Sequence, residues 1–290
     1  MPELPEVETI VRELKAEVLD RTFLDTWTDT KSIIKNSTFE SFREKLKKKK
    51  IIDIRRRGKN ILIDLSSGYI LLVHQKITGH LLLGEWLLKD NKWTSKENGI
   101  LSSDPINGFL HVVFFLDDGR QIALSDSRKF AKIELWKKED LENELLKLGP
   151  EPMEDSFTLE RFQSLFQKKK GKIKQILMDQ NFIVGIGNIY ASEILFEAKV
   201  HPEESIINLD KNDLKRIYLA MRRILKKSIE LKGDSFSDFR TISGEKGGFH
   251  SIVKVYQREG KECLRCGKKI KRIKQGGRSS FFCPSCQIKK

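Results

Sequence analysis

The apolar residues near the amino terminus recur with the spacing of one helix face. After Pro5 come Val7, Ile10, Val11, Leu14 and Val18, and consecutive members of this series are one, three or four positions apart. Pro5 suits the first helical turn, and the neighbouring Glu6 and Glu8 favour a helix start because carboxylates interact well with the positive end of the helix dipole. The pattern predicts a short amphipathic helix that packs one side onto a core.

The pattern changes to that of β-strands between Ile51 and Trp136. Four apolar runs stand out, at residues 61–65, 69–73, 109–116 and 121–124. Turn residues separate them, as at 66–68 (Ser-Ser-Gly) and 117–120 (Asp-Asp-Gly-Arg). Short runs between such turns predict antiparallel hairpins in a sandwich or barrel.

A second change follows residues 148–152 (Leu-Gly-Pro-Glu-Pro), which predict a stiff linker. Beyond it, apolar residues recur at helical spacing around Phe162, Ile176, Ile194 and Ile217. The expected fold class is therefore α+β and multidomain. We expect an amino-terminal β-sandwich domain at 1–147, a linker at 148–156, a helical domain at 157–240 and a separate carboxyl-terminal segment at 241–290.

Positive charge is concentrated in that last segment. The 290 residues include 55 Lys and Arg against 41 Asp and Glu, a formal net charge of +14, and residues 241–290 alone carry +10. A compact segment this basic indicates a polyanionic partner, most often nucleic acid. On charge alone, a solvated tail that keeps the chain in solution stays an alternative.

All four cysteines lie in the same basic segment, in two Cys-x-x-Cys pairs sixteen residues apart: Cys263, Cys266, Cys283 and Cys286. This spacing predicts one structural Zn²⁺ held by four thiolates, with no position left open for water. Two disulfides would need an oxidising compartment. The chain opens without a basic region followed by an apolar run, so no secretory signal supports that alternative.

Few of the usual nucleophiles are available for covalent chemistry, because the thiols are committed to metal. The chain has no Gly-x-Ser-x-Gly elbow and no phosphate-binding Gly-Lys-Ser/Thr loop. Removal of Met1 would expose Pro2 as a secondary amine, which can form an iminium with a sugar carbon. Glu3 and Glu6 lie beside it. Taken alone, the same residues are also an ordinary helix start.

Three separated motifs resemble the bacterial formamidopyrimidine-DNA glycosylases, the Fpg or MutM family. They are Met-Pro-Glu-Leu-Pro-Glu-Val-Glu-Thr at 1–9, Gly-Ile-Gly-Asn-Ile-Tyr-Ala-Ser-Glu at 185–193, and the terminal four-cysteine finger. The resemblance extends from end to end of the chain. It implies a helix–two-turn–helix fold for the helical domain, a carboxyl-terminal zinc ribbon, and a bifunctional DNA glycosylase and abasic-site lyase for oxidised purines such as 8-oxoguanine and formamidopyrimidines.

The resemblance also implies four catalytic residues. In this family the amino-terminal proline, here Pro2, attacks C1′ of the damaged nucleotide, and the adjacent glutamate, here Glu3, is the general acid/base. A β-turn lysine, matched by Lys59, contacts DNA and assists elimination. The finger's arginine, matched by Arg278, grips the phosphate at the lesion. The iminium is an electron sink, so β- and then δ-elimination can cut both sides of the sugar.

Further matches imply DNA contacts. Arg128 would face the orphan cytosine and Phe130 would wedge the base stack. In the segment from His74 to Gly79, Ile77 stands where the family has a methionine wedge. A β-branched isoleucine is shorter and stiffer than methionine, so we expect lesion search or gap filling to differ from that of the family.

The helical domain supplies the remaining matches. Lys169 and Lys174 lie in the family's lysine-rich stretch, with Lys174 better placed. Asn188 would hold a phosphate and could also cap the helix that begins at Ile189. The lesion-covering loop is expected within 234–250, without assigned base contacts.

Two alternatives stay open. An endonuclease VIII-like enzyme for oxidised pyrimidines would share the proline, glutamate, turn and finger, but Leu4 and the intact Arg128–Phe130 element disfavour it. A noncatalytic zinc-ribbon protein would bind DNA without needing Pro2 beside Glu3. In the favoured interpretation the partner is damaged double-stranded DNA, with no membrane partner, and the chain is a monomer in the bacterial cytoplasm, associated with the nucleoid through DNA.

Overall fold

The computed structural model describes residues 1–90, 92–236 and 238–290, which fold into two compact units. The first unit combines Met1–Leu145 with Leu231–His250, and the second combines Leu146–Glu230 with Ser251–Lys290. Each unit is therefore built from two separated stretches of chain. The finer division at 1–147, 148–156, 157–240 and 241–290 stays a prediction about domains.

Two four-stranded antiparallel sheets form the body of the first unit. Their strand orders are β1-β8-β9-β5 and β10-β4-β3-β2, and β6 and β7 make a separate hairpin. The strands are β1 (Phe23–Thr28), β2 (Ile51–Arg57), β3 (Asn60–Leu65), β4 (Tyr69–His74), β5 (His80–Gly84), β6 (Trp86–Lys89), β7 (Lys92–Ser95), β8 (Leu110–Leu116), β9 (Gln121–Ser125) and β10 (Lys132–Lys137). The four apolar runs of the sequence correspond to β3, β4, β8 and β9, so their prediction is confirmed.

Four helices accompany these sheets: α1 (Leu4–Val18), α2 (Phe39–Leu46), α3 (Ile100–Ser103) and α4 (Lys138–Leu145). The apolar face of α1 shares one core with side chains of both sheets, and its Val7, Ile10 and Leu14 are fully buried. Each such side chain contributes on the order of 2 kcal/mol through the hydrophobic effect. This burial fixes the position of the helix, and with it the position of Pro2 and Glu3 directly before its first turn.

The stretch 231–250, here called the returning segment, completes the first unit. Its Phe239 and Ile242 belong to the same core as α1. Two carboxylates of α1 hold its backbone, because Glu6 Oε1 accepts a hydrogen bond from Asp234 N at 2.8 Å and Glu13 Oε2 accepts one from Ile242 N at 3.1 Å. The returning segment is thus tied to the amino-terminal helix along its length.

The second unit is mainly helical and ends in a two-stranded hairpin. Its elements are α5 (Leu159–Phe166), α6 (Ile173–Leu177), α7 (Asn188–Glu197), α8 (Lys211–Glu230), β11 (Lys271–Gln275) and β12 (Arg278–Phe282). The long helix α8 is amphipathic, whereas α7 is buried on most sides. No described helix of the chain is both long and apolar enough to cross a membrane.

Glu193 on α7 attaches the carboxyl-terminal stretch to the helices of the second unit. Its carboxylate accepts three backbone hydrogen bonds, from Lys254 N and Val255 N at 2.9 Å and from Tyr256 N at 2.8 Å. Burial raises the pKa of Glu193, while these three bonds act in the opposite direction. The carboxyl group can be buried because its oxygens accept hydrogen bonds from three backbone donors at once.

We expect Glu193→Ala to lower the free energy of unfolding by about 3 kcal/mol, since three buried backbone donors lose their acceptor. Denaturant unfolding of the purified chain measures this loss. The control is Glu230→Ala on α8, whose carboxylate makes only an exposed ion pair with Lys227, so it should cost less than about 0.5 kcal/mol. Equal losses in the two variants would contradict the role given to Glu193.

Candidate active site

Pro2 and Glu3 are both buried at the start of α1. Glu3 occupies the cap position of the helix, and its backbone N donates to Glu6 Oε2 at 2.7 Å. The two oxygens of Glu6 therefore join two backbone amides, that of Glu3 and that of Asp234 in the returning segment. This bridge holds the residue that follows Pro2 in a fixed position.

Asp234 adds a third buried carboxyl group to Glu3 and Glu6 in this region, and sequence reasoning missed it. Its side chain is 4% exposed, and Oδ2 accepts a hydrogen bond from Phe236 N at 3.1 Å. Burial, with a smaller contribution from the charge of Glu3, raises the pKa of Asp234 to about 6, although the hydrogen bond from Phe236 N, His250 and the amino terminus act in the opposite direction. One aspartate in a polar, glycine-rich loop carries no sequence signal for such burial.

Lys59 lies in the two-residue turn between β2 and β3 and is mostly buried. Gly58 before it has a φ of 58°, in the left-handed region that favours glycine. Lys59 is also one of the groups that affect His74. Burial, and after it the positive charges of Lys76, Lys59 and Lys132, lower the pKa of His74 to about 3. His74 is therefore neutral at pH 7 and offers a phosphate no positive charge.

The three predicted wedge residues lie on two neighbouring loops. Ile77 is 40% exposed and Phe130 is 50% exposed, and the guanidinium of Arg128 lies 4.7 Å from the centre of the Phe130 ring. A stacked cation–π pair of this kind stiffens both side chains. Exposed apolar groups held in this way are suited to insertion between bases.

One buried carboxylate, Asp126, positions both of these loops. It accepts hydrogen bonds from Thr78 Oγ1, from Arg128 N at 3.3 Å and from Ala131 N at 2.7 Å. Thr78 follows Ile77, and Ala131 follows Phe130, so a single side chain holds the residue beside each exposed apolar group. Asp126 lies two residues before Arg128, and sequence analysis did not assign it this role.

In the second unit, Lys174 connects α6, α7 and the terminal hairpin. It is 2% exposed, and its Nζ donates to Asn188 Oδ1 and Ser280 Oγ at 2.8 Å and to Ser279 O at 3.1 Å. The three protons of the ammonium group are thus matched by three acceptors. Lys174 orients its neighbours.

The predicted capping role of Asn188 needs correction. Helix α7 begins at Asn188 itself, after Gly187 in the cap position. The side-chain oxygen of Asn188 accepts from Lys174 instead of from the first amides of the helix. The buried ammonium group of Lys174 therefore orients the side chain of Asn188 at the start of α7.

A pocket of about 230 Å³ opens beside the start of α7, and Lys174, Gln175, Asn188, Gly276 and Arg278 are among its lining residues. Arg278 is exposed and has no ion-pair partner among the residues that the structure describes. A helix amino terminus next to an arginine is suited to binding a phosphate group.

The turn of the terminal hairpin places Arg278 at this pocket. Gly276 and Gly277, between β11 and β12, have φ values of 55° and 75°, the left-handed pair that a tight type I′ hairpin turn requires. A Cβ atom on Gly276 would lie 2.6 Å from Gln175 Nε2. Glycine is therefore favoured here by the backbone conformation, and a larger residue would also have to displace the end of the Gln175 side chain.

Lys169 lies apart from these residues. Its ammonium group is 5.3 Å from the centre of the Phe182 ring and 4.0 Å from Asp179 Oδ2. It is exposed and does not appear among the described residues that line the pocket. The structure thus groups Lys174, Asn188 and Arg278 and leaves Lys169 on the surface.

The four cysteines converge at the end of the chain, with all four sulfur atoms within 4.8 Å of one another. Cys266 Sγ lies 3.4 Å from Cys283 Sγ, and Cys263 Sγ lies 4.0 Å from Cys286 Sγ. Zinc–sulfur bonds of about 2.3 Å in a tetrahedron place neighbouring sulfurs about 3.8 Å apart. The cluster fits one zinc ion, and its sulfurs are too far apart for disulfides.

Family models match most of the chain. The model described as the formamidopyrimidine-DNA glycosylase N-terminal domain matches residues 1–133, the formamidopyrimidine-DNA glycosylase H2TH domain matches 148–240, and the zinc finger found in FPG and IleRS matches 260–288. A curated relative from Pelotomaculum thermopropionicum, formamidopyrimidine-DNA glycosylase, is 38% identical over 99% of each chain.

The chain belongs to the formamidopyrimidine-DNA glycosylase family. Solved structures of the family agree with its fold. The Lactococcus lactis Fpg in complex with abasic-site DNA has a TM-score of 0.86, and the same protein with DNA containing Fapy-dG has a TM-score of 0.85. Each of these two structures is 31% identical in sequence to this chain, and each match covers 99% of this chain and 100% of the solved chain.

Membership of this family confirms three predictions from the sequence: the resemblance itself, the α+β fold class with its helix–two-turn–helix part, and the structural zinc. The roles of the individual site residues stay predictions.

We expect native mass spectrometry to detect one zinc ion per chain. Removal of this ion by a strong chelator should expose residues 260–288 to proteolysis, because the metal joins the two Cys pairs and the finger has only a small core of its own. The control is the same chelator saturated beforehand with zinc, which should protect the segment. A protease-resistant, zinc-free finger would contradict the structural role of the metal.

Proposed function

We propose that this chain excises oxidised purines from double-stranded DNA and then cleaves the abasic site through a Schiff base at Pro2. The observation that carries the proposal is the fixed position of Pro2 and Glu3 at the start of α1, in a chain whose family is that of the formamidopyrimidine-DNA glycosylases. The relatives solved with abasic-site DNA and with Fapy-dG DNA support the substrate class.

The reaction starts when removal of Met1 leaves Pro2 as a secondary amine. Its nitrogen lone pair forms a bond to C1′ of the damaged nucleotide, and the bond from C1′ to the base breaks with its electron pair on the leaving base. Glu3 is the general acid/base that moves protons at the sugar. The attached nitrogen then loses its proton, its lone pair forms the C=N bond as the C1′–O4′ bond breaks, and O4′ leaves as a hydroxyl with a proton delivered through Glu3. The resulting iminium acidifies the 2′-proton, so β-elimination expels the 3′-phosphate and δ-elimination then expels the 5′-phosphate, with Lys59 assisting and Arg278 assisting the second elimination.

The pocket of the second unit would hold a backbone phosphate near the lesion. Arg278 would donate to it as a cation, and Asn188, which lines the same pocket, would contact it as a neutral group. Lys174 acts indirectly, since its protons are used on Asn188, Ser279 and Ser280. Lys169 contributes only to the salt-sensitive attraction between basic surface and DNA.

Extrusion of the damaged base leaves a gap in the duplex at a cost of a few kcal/mol. Phe130 and Ile77 would fill it with apolar surface, and Arg128 would bind the orphan cytosine. His74, being neutral, would contact DNA as a hydrogen-bonding or packing group. Asp126 keeps the two loops in register for this insertion.

The endonuclease VIII-like alternative stays second, because the Arg128–Phe130 pair is stacked and exposed and Leu4 replaces the glycine usual in that branch. A noncatalytic DNA-binding protein would leave the buried Pro2–Glu3 arrangement without a use. We further propose that the chain acts as a monomer in the bacterial cytoplasm.

Borohydride trapping tests the covalent step. Duplexes with 8-oxoguanine, an oxidised pyrimidine or an abasic site should each be incubated with the chain and borohydride. The purine lesion and the abasic site should give a covalent adduct, and Pro2→Gly should lose it, because its primary amine is a poorer match for the site. A preference for the oxidised pyrimidine would favour the alternative, and no adduct on any duplex would leave DNA binding only.

Glu3→Gln is the matched control in this assay. It removes an acid/base group while leaving the phosphate contacts, so base excision should fall by at least about 100-fold at nearly unchanged DNA affinity. Proportional loss of affinity would instead indicate a structural role.

Ile77→Met tests the unusual wedge. We expect it to retain turnover on 8-oxoguanine DNA, because a flexible methionine fills an irregular gap at least as well as a β-branched residue. Single-turnover kinetics on a duplex with 8-oxoguanine opposite cytosine measures this. Loss of most turnover would contradict the assignment of Ile77 to the wedge position.

A further inference from the structure

Asp234 is bound to the start of α1 by two consecutive hydrogen bonds. Its backbone N donates to one oxygen of Glu6 at 2.8 Å, and the other oxygen of Glu6 accepts from Glu3 N at 2.7 Å. Gly233 permits this approach, because a Cβ there would lie 2.8 Å from Glu6 Oε1 and its φ is 78°. The backbone of Asp234 is thus joined through the Glu6 carboxylate to the backbone of Glu3, the residue that follows Pro2.

The side chain of Asp234 has an unused acceptor in this buried position. One oxygen accepts from Phe236 N, whereas Oδ1 is buried without a hydrogen-bond partner among the described residues. An unsatisfied buried acceptor costs about 1–3 kcal/mol. A purely structural role for Asp234 does not offset this cost. A proton donor that binds to Oδ1 during the reaction does offset it.

The surroundings of Asp234 favour protonation and deprotonation of its carboxyl group near neutral pH. The groups that act on it are Glu3, the amino terminus and His250, and Glu6 is held on its backbone. Burial and the charge of Glu3 raise the pKa of Asp234 to about 6, against the amino terminus and His250. A group with a pKa close to the working pH is suited to accept and return a proton.

We propose that Asp234 takes the proton from the protonated Pro2 amine, and so makes it a nucleophile; this rests on the proposed function. The other two carboxyl groups at the start of α1 are already engaged, Glu3 at the sugar in the proposed reaction and Glu6 by two backbone amides. Asp234 Oδ1 is the acceptor left for the amine.

The step balances on the aldehyde of an abasic site. The Asp234 carboxylate takes one proton from the Pro2 ammonium group, which leaves a neutral amine and a carboxylic acid. The nitrogen adds to C1′, and its remaining proton moves to the former aldehyde oxygen to give a carbinolamine. Asp234 returns its proton to that hydroxyl, water leaves, and the iminium forms. The carboxylate is regenerated, and one water is released.

The test is the single-turnover rate of borohydride trapping on abasic-site DNA between pH 5 and 9, with Met1 removal verified by mass spectrometry. In the unmodified chain the rate should fall as the pH drops through about 6, where the Asp234 carboxylate becomes protonated. Asp234→Asn keeps an acceptor for Phe236 N but cannot take a proton. It should lose this inflection and react about 100-fold more slowly at pH 7, and Asp234→Glu should restore the inflection.

Two controls make the result specific. Asp140→Asn, an exposed substitution on α4, should leave the profile unchanged, and thermal unfolding and DNA affinity should show that Asp234→Asn is folded. If the unmodified chain forms no adduct, the proposed function itself fails. If it forms one and Asp234→Asn shows the same inflection, or reacts as fast or faster at pH 7, only the role of Asp234 is overturned.

Discussion

The geometry of the reactive end depends on one carboxylate, Glu6. A chain terminus is normally the least ordered part of a protein, because few groups restrain it. Here the two oxygens of Glu6 hold one backbone amide at each side, Glu3 in the helix and Asp234 in the returning segment. Burial of Val7, Ile10 and Leu14 then holds the helix itself. In the proposed function these contacts restrict Pro2 before the substrate arrives, which lowers the entropy cost of its attack.

The same device recurs elsewhere: a buried charge satisfied by several partners fixes loops that carry exposed groups. Asp126 does this for the loops of Ile77 and Phe130, Lys174 for Asn188 and the strand of Arg278, and Glu193 for the stretch before the finger. Each charge is costly to bury alone and acceptable only with its full set of partners. Substitutions at these positions therefore affect function without touching DNA.

Much of the fold could be predicted from the sequence, because it rests on patterns of short range. The spacing of Val7 to Val18 and the paired cysteines identify α1 and the zinc cluster from neighbouring residues alone. The burial of Asp234 and Asp126 could not be predicted, since their partners are distant in sequence or are backbone atoms. Asn188 shows the same limit: its residue type favours a cap, and only the fold brings Lys174 to its side chain.

The construction of the first unit from two separated stretches has a consequence for the order in which the site is made. The amino terminus is the first part of the chain to leave the ribosome, whereas Asp234, Phe239 and Ile242 follow more than 200 residues later. Until they are synthesised, the core around α1 lacks part of its apolar surface and Glu6 lacks one of its two amides. The start of α1 therefore has its full set of contacts only once residues 234–242 are present, and a fragment that stops before the returning segment carries Pro2 without these surroundings.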